Sequence, residues 1–118
     1  MTRQIEREIQ TRVIEWARLN KHPLSLLFHI PNGGSRNVIE ASNLKRAGVM
    51  AGIPDLFLPV SRLGYHGLWV ELKSPKGILS ARQLQMMGDL REQGYKCIVA
   101  RSANEAIEEI SKYSQSSS

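Results

Sequence analysis

A single cysteine, Cys97, occurs in 118 residues. An internal disulfide is therefore excluded, and so is a cysteine-based zinc site. Cys97 lies in the apolar run Cys97-Ile98-Val99-Ala100, the setting of a buried core thiol. Long hydrophobic runs are missing too. Nothing resembles a signal peptide or a membrane span, so a cytoplasmic location is expected. There is no internal repeat. The only low-complexity stretch is Ser114-Gln115-Ser116-Ser117-Ser118, expected to be a frayed, flexible tail. His22, His29 and His66 show no metal-ligand spacing and are assigned no role.

What the chain does have is length for one core and an excess of positive charge. One domain is expected over residues 1–113. The net charge is +5 and the isoelectric point about 9.7. Basic domains of this size are candidates for polyanion binding, since lysine and arginine contacts dominate affinity for phosphates.

Hydrophobic periodicity predicts a helix over 3–19, with Ile5, Ile9, Val13 and Trp16 on one stripe. Residues 24–30 form an apolar run of strand length, followed by a turn at 31–35. A short helix is predicted over 38–47 with Gly48 as its cap. Two apolar runs, 56–60 and 68–73, flank a loop with two glycines and read as an antiparallel hairpin. Ser80-Ala81-Arg82-Gln83 has the form of a capping box opening a helix to about Gln93. A buried strand over 96–100 follows. Ser102-Ala103-Asn104-Glu105 is a second box, opening a final helix through about Tyr113. The strand–helix–strand unit from Glu71 to Ala100 makes its two strands parallel. The fold class is α/β, a mixed β-sheet flanked by helices in the order α-β-α-β-β-α-β-α.

The hairpin gathers the chemistry. Side chains alternate along a strand, so Glu71 and Lys73 share a face with Trp69, while Val70 and Leu72 point into the core. Asp55, after Pro54, starts the partner strand near the level where Glu71 and Lys73 end theirs. Two carboxylates and a lysine are then within a few ångströms of one another. Magnesium prefers oxygen ligands and keeps several waters, so one or two carboxylates suffice to hold it. A lysine beside such an ion can orient an attacking water or stabilise charge on a phosphate.

These segments resemble the PD-(D/E)XK nucleases, and more narrowly a stand-alone VRR-NUC (virus-type replication-repair nuclease) domain. The likeness is carried by Asn32-Gly33-Gly34-Ser35-Arg36, Lys45-Arg46-Ala47-Gly48, Ala51-Gly52-Ile53-Pro54-Asp55-Leu56, Val70-Glu71-Leu72-Lys73 and Leu79-Ser80-Ala81-Arg82-Gln83. It spans roughly residues 6–110. The resemblance implies a restriction-endonuclease-like core and a nuclease dependent on Mg2+ or Mn2+. It implies metal binding by Asp55, Glu71 and the Leu72 carbonyl, the water-side role for Lys73, and a place for Gln83 near the water or phosphate. Compact relatives resemble Holliday-junction resolvases, so branched DNA and a homodimer are expected. The flap preference of larger, multidomain relatives is not carried over.

The resemblance also implies a glutamate on the first helix near the metal, where Glu6 and Glu8 both stand. At about 100° per residue, Glu6 lies roughly 40–50° from the centre of the apolar stripe and Glu8 about 110°. Glu6 is therefore the choice. Gln83 has a competing explanation, because a capping-box glutamine bonds the N-cap amide whatever else it does. Arg36, Lys45, Arg46, Lys76 and Arg82 are the cations nearest these segments and are candidate phosphate contacts, which position DNA without reading its sequence. His29 borders the glycine-rich loop and could face DNA. Two other readings stand beside the nuclease: a basic DNA-binding module without chemistry, and a flap or replication-repair subunit that acts only with a partner.

Overall fold

The computed structural model describes residues 2–31 and 38–117. Most of the predicted loop at 31–35, and with it Arg36, lies outside the described residues. Eight main elements follow one another: α1 (Thr2–Arg18), β1 (Phe28–His29), α2 (Val38–Arg46), β2 (Leu56–Leu58), β3 (Leu68–Leu72), α3 (Ala81–Glu92), β4 (Lys96–Ala100) and α4 (Ala103–Gln115). The class and order are those predicted from the sequence.

The four strands form one sheet in the order β1-β2-β3-β4. β1 and β2 are antiparallel, as are β2 and β3, while β4 joins β3 in parallel after the α3 crossover. Leu56, Leu58, Leu68, Val70 and Leu72 are buried on one face against α1 and α4. From the helices come Ile9, Val13 and Ala17 of α1 and Ala103, Ala106, Ile110 and Tyr113 of α4. On the other face Phe57 stacks on Trp69 at 4.3 Å between centroids, and Tyr95 meets Trp69 edge-on. The pleat that buries Val70 and Leu72 with the helices thus turns Trp69 and Glu71 to the opposite side.

The hairpin closes through Arg62, Leu63, Gly64 and Tyr65, where Leu63 and Gly64 have φ of 53° and 81°. Two left-handed central residues give a turn whose twist matches the strands it joins.

Some details differ from the prediction. Residues 24–30 do not make one strand: Leu24–Leu26 form a 3-10 turn and only Phe28 and His29 pair with β2. Arg18 at the end of α1 donates to the carbonyls of Ser25 (3.2 Å) and Leu27 (2.6 Å), taking acceptors a sheet ladder would need. The apolar stripe of α1 is shifted, since Ile5 is 40% exposed and Ala17 completes the buried row. The first turn reaches the C-terminal end of β3, and there Glu6 turns inward instead. The predicted serine-rich tail begins within the last turn of α4. The α4 helix continues to Gln115, Arg62 Nε donates to the Ser114 carbonyl, and Leu63 N donates to the Ser117 carbonyl. Tyr113 adds a 2.5 Å hydroxyl bond to the Val60 carbonyl, so the hairpin loop supplies the partners that hold the chain's end.

Candidate active site

Asp55 precedes β2 and Glu71 lies next to last in β3, so the antiparallel register sets them side by side. The register pairs Leu56 with Val70, and Asp55 continues that ladder toward Glu71 and Leu72. The Asp55 carboxylate accepts the Leu72 amide at 2.8 Å. In an antiparallel ladder the amide and carbonyl of one residue point to the same neighbour. The Leu72 carbonyl is therefore directed to the β2 side of the strand. Glu71 is buried, with 3% of its surface exposed, and the Asp55 charge acts on its carboxyl.

Two adjacent carboxyls removed from water cannot both ionise at low cost. Burial and the nearby Asp55 charge push Glu71 up to about 8, with Lys73 and its positive charge acting against them. Asp55 is also raised, chiefly by burial, while the Leu72 amide and His29 pull it back. Glu71 therefore favours its protonated form at neutral pH.

Lys73 Nζ lies 3.9 Å from Glu71 Oε2, with only 12% of its side chain exposed. Gln83 arrives from the first turn of α3. Its Oε1 accepts the Ser80 amide at 2.9 Å, its own amide bonds Ser80 Oγ at 3.0 Å, and its Nε2 donates to Glu71 Oε2 at 3.1 Å. The capping box fixes the glutamine, and the free end of the same amide grips the carboxyl. Glu6 on α1 is half-buried and accepts the amide of Ser74, the residue after Lys73, at 3.2 Å. Its charge also raises Asp55 and Glu71. Glu8 instead lies in a shallow groove on the outer face of α1 with Arg3, Arg7 and Arg12.

Asp55, Glu71, Lys73, Gln83 and Glu6 are thus brought to one end of the sheet, beside Leu72. The predicted phosphate contacts are dispersed. Lys45 and Arg46 are exposed in the last turn of α2, and Lys76 is exposed in the turn after β3. Arg82 Nε donates to the Ala51 carbonyl at 3.2 Å, and its backbone presses on Gly52.

Two side chains at this site were assigned no role by sequence reasoning. Arg101 Nη1 donates to the carbonyls of Ser74 and Gly77, holding the turn that follows Lys73. His29 Nδ1 lies 2.9 Å from the Asp55 carbonyl. Neither contact has a sequence signature, because both cross between segments far apart in the chain.

The donors suit a hard divalent cation. Among the described residues no three His, Cys, Asp or Glu side chains converge on one metal position. Two carboxylates and a backbone carbonyl, with water completing the shell, are the set that magnesium accepts. Two carboxyls crowded together at Asp55 and Glu71 favour positive charge between them, and a bound cation would compete with protons there.

The VRR-NUC domain family model matches residues 1–104. A solved structure described as a VRR_NUC domain protein is 30% identical and superposes with a TM-score of 0.83, covering 96% of this chain and 90% of that one. No curated protein matches the chain significantly. Among the described residues no helix is long and apolar enough to cross a membrane. By sequence and by fold alike, the chain belongs to the VRR-NUC family of nuclease domains.

Proposed function

We propose that the protein is a divalent-metal-dependent, structure-specific endonuclease that hydrolyses phosphodiester bonds in branched DNA, such as four-way junctions, and acts as a homodimer. The observation that carries this reading is the Asp55–Glu71 carboxyl pair beside Lys73. A bound Mg2+ or Mn2+, held by Asp55, Glu71 and the Leu72 carbonyl, would lower the pKa of a coordinated water and offset charge on the phosphate. Lys73, on the Glu71 side of the site, orients the water or stabilises the oxygen charge that builds on the phosphate. Gln83 fixes Glu71 through Oε2. Glu6 secures the backbone after Lys73 through the Ser74 amide.

The branched substrate rests on the resemblance of the VRR-NUC domain to Holliday-junction resolvases. A junction presents two symmetric strands, and a two-fold dimer offers one site to each. The surface cations Lys45, Arg46 and Lys76 are suited to phosphate contact, supplying affinity without sequence preference. The test is cleavage of labelled four-way junction, flap, splayed-arm and duplex DNA with magnesium, with manganese and with chelator. Metal-dependent, paired nicks in the junction support the reading. Cutting of flaps alone moves the function to flap processing. Binding without cutting points to a non-catalytic module or to a subunit that needs a partner.

A further inference from the structure

Asp55 is clamped at both ends. Its carboxylate accepts the Leu72 amide of β3, while its carbonyl accepts two donors from the β1 segment: Ile30 N at 2.9 Å and His29 Nδ1 at 2.9 Å. A carbonyl only accepts, so Nδ1 carries the proton in this contact. β1 contributes just two residues to the sheet edge, and His29 itself pairs with Leu56. A two-residue edge strand fixes its neighbour weakly. The imidazole bond therefore adds a further tie between β1 and the stretch entering β2. It falls on the residue whose carboxylate faces Glu71.

We propose that His29 is a positioning residue, holding the Asp55 backbone so that its carboxylate stays against the Leu72 amide and Glu71. The inference rests on the metal-site reading above. It assigns His29 the kind of outer contact whose loss costs about 10–100-fold in metal affinity. The ring is exposed. Its replacement thus leaves no buried cavity, and a loss of metal affinity would not reduce to a loss of folding.

Three substitutions separate the possibilities. The side-chain amide of asparagine can place a donor where Nδ1 lies, whereas that of glutamine places one near Nε2. Mn2+ binding to the metal-free full chain is measured by calorimetry for wild type, His29→Ala, His29→Asn and His29→Gln. Hydrogen exchange of the Leu72 amide is followed in the same proteins without metal. Positioning predicts that His29→Ala and His29→Gln weaken Mn2+ binding by about tenfold or more and speed Leu72 exchange. His29→Asn should restore both, at an unchanged Tm. Wild-type behaviour in all three variants overturns the proposal, as does restoration by glutamine instead of asparagine. If wild type binds no Mn2+, the metal-site reading falls. The exchange rates then decide the positioning role alone: unaltered Leu72 exchange in His29→Ala would overturn it.

Discussion

Gln83 joins the start of α3 to Glu71 through one amide, its oxygen taking the Ser80 N–H and its nitrogen donating to Glu71 Oε2. Capping and site support are therefore not alternatives for this residue. Gln83→Glu keeps the acceptor for Ser80 but replaces the donor with a second carboxyl against Glu71. It should fold with a Tm near that of wild type and cleave at least tenfold more slowly. Gln83→Ala should lose both functions, with a stability cost of about 1 kcal/mol from the cap. Thermal melts beside single-turnover cleavage read the two effects separately.

The raised Glu71 carboxyl makes stability depend on pH. Glu71 ionises near 4.5 when unfolded and at about 8 in the folded, metal-free protein. Between those values the folded state keeps a proton that the unfolded state releases. The stabilising contribution is complete below the lower value and is lost as pH rises through the upper one. The raised Asp55 acts in the same direction. Tm of the metal-free protein should fall as pH climbs from about 5 to about 8. Glu71→Gln, which cannot ionise, should flatten that dependence and melt higher than wild type at pH 8. Differential scanning calorimetry across this range checks both.

Gly52 ties the loop before Asp55 to α3. Its φ is +84°, and an added Cβ would lie 2.7 Å from Arg82 Cγ and 3.0 Å from the Arg82 carbonyl oxygen. Gly52→Ala should destabilise the protein by about 1–3 kcal/mol, as backbone strain of this kind costs. Cleavage should fall as well, because Asp55 follows three residues on. Urea denaturation gives the first and a cleavage time course the second.

The exposed cations can be sorted by salt dependence. Lys45→Gln, Arg46→Gln and Lys76→Gln should each reduce the slope of log affinity against log salt by about 1 where the residue meets a phosphate. Arg82→Gln should instead lower Tm, since its guanidinium is engaged with the Ala51 carbonyl. Fluorescence anisotropy in calcium at several salt concentrations, with melts alongside, tells these apart.

Much of this was legible in the chain because it depends on local pattern. Period-two alternation in 68–72 assigned Glu71 to the face opposite Val70 and Leu72, and the Ser80–Gln83 spacing gave a complete capping box. Helical periodicity chose Glu6 over Glu8, and Glu6 is the one that reaches Ser74. The readings that went astray depend on individual side-chain contacts that periodicity does not show. Leu24–Leu26 is apolar enough for a strand, yet Arg18 draws nearby carbonyls to the end of α1. At Ser102 the hydroxyl caps Glu105 N as predicted, but the Glu105 carboxylate bonds the Arg101 amide in place of the N-cap. The serine tail carries no sign that the hairpin loop will bind it. His29 looked idle because its partner is a backbone carbonyl, and every residue carries one of those.

Asp55, Glu71 and Lys73 are proposed to form a hydrolytic metal site. The most direct measurement is magnesium-dependent cleavage of a labelled four-way junction by wild type, Lys73→Ala and Asp55→Asn, with junction binding measured in parallel. The account predicts cleavage by wild type that chelator abolishes, no cleavage by either variant, and junction binding retained in both. Cleavage that persists in both purified variants would contradict it.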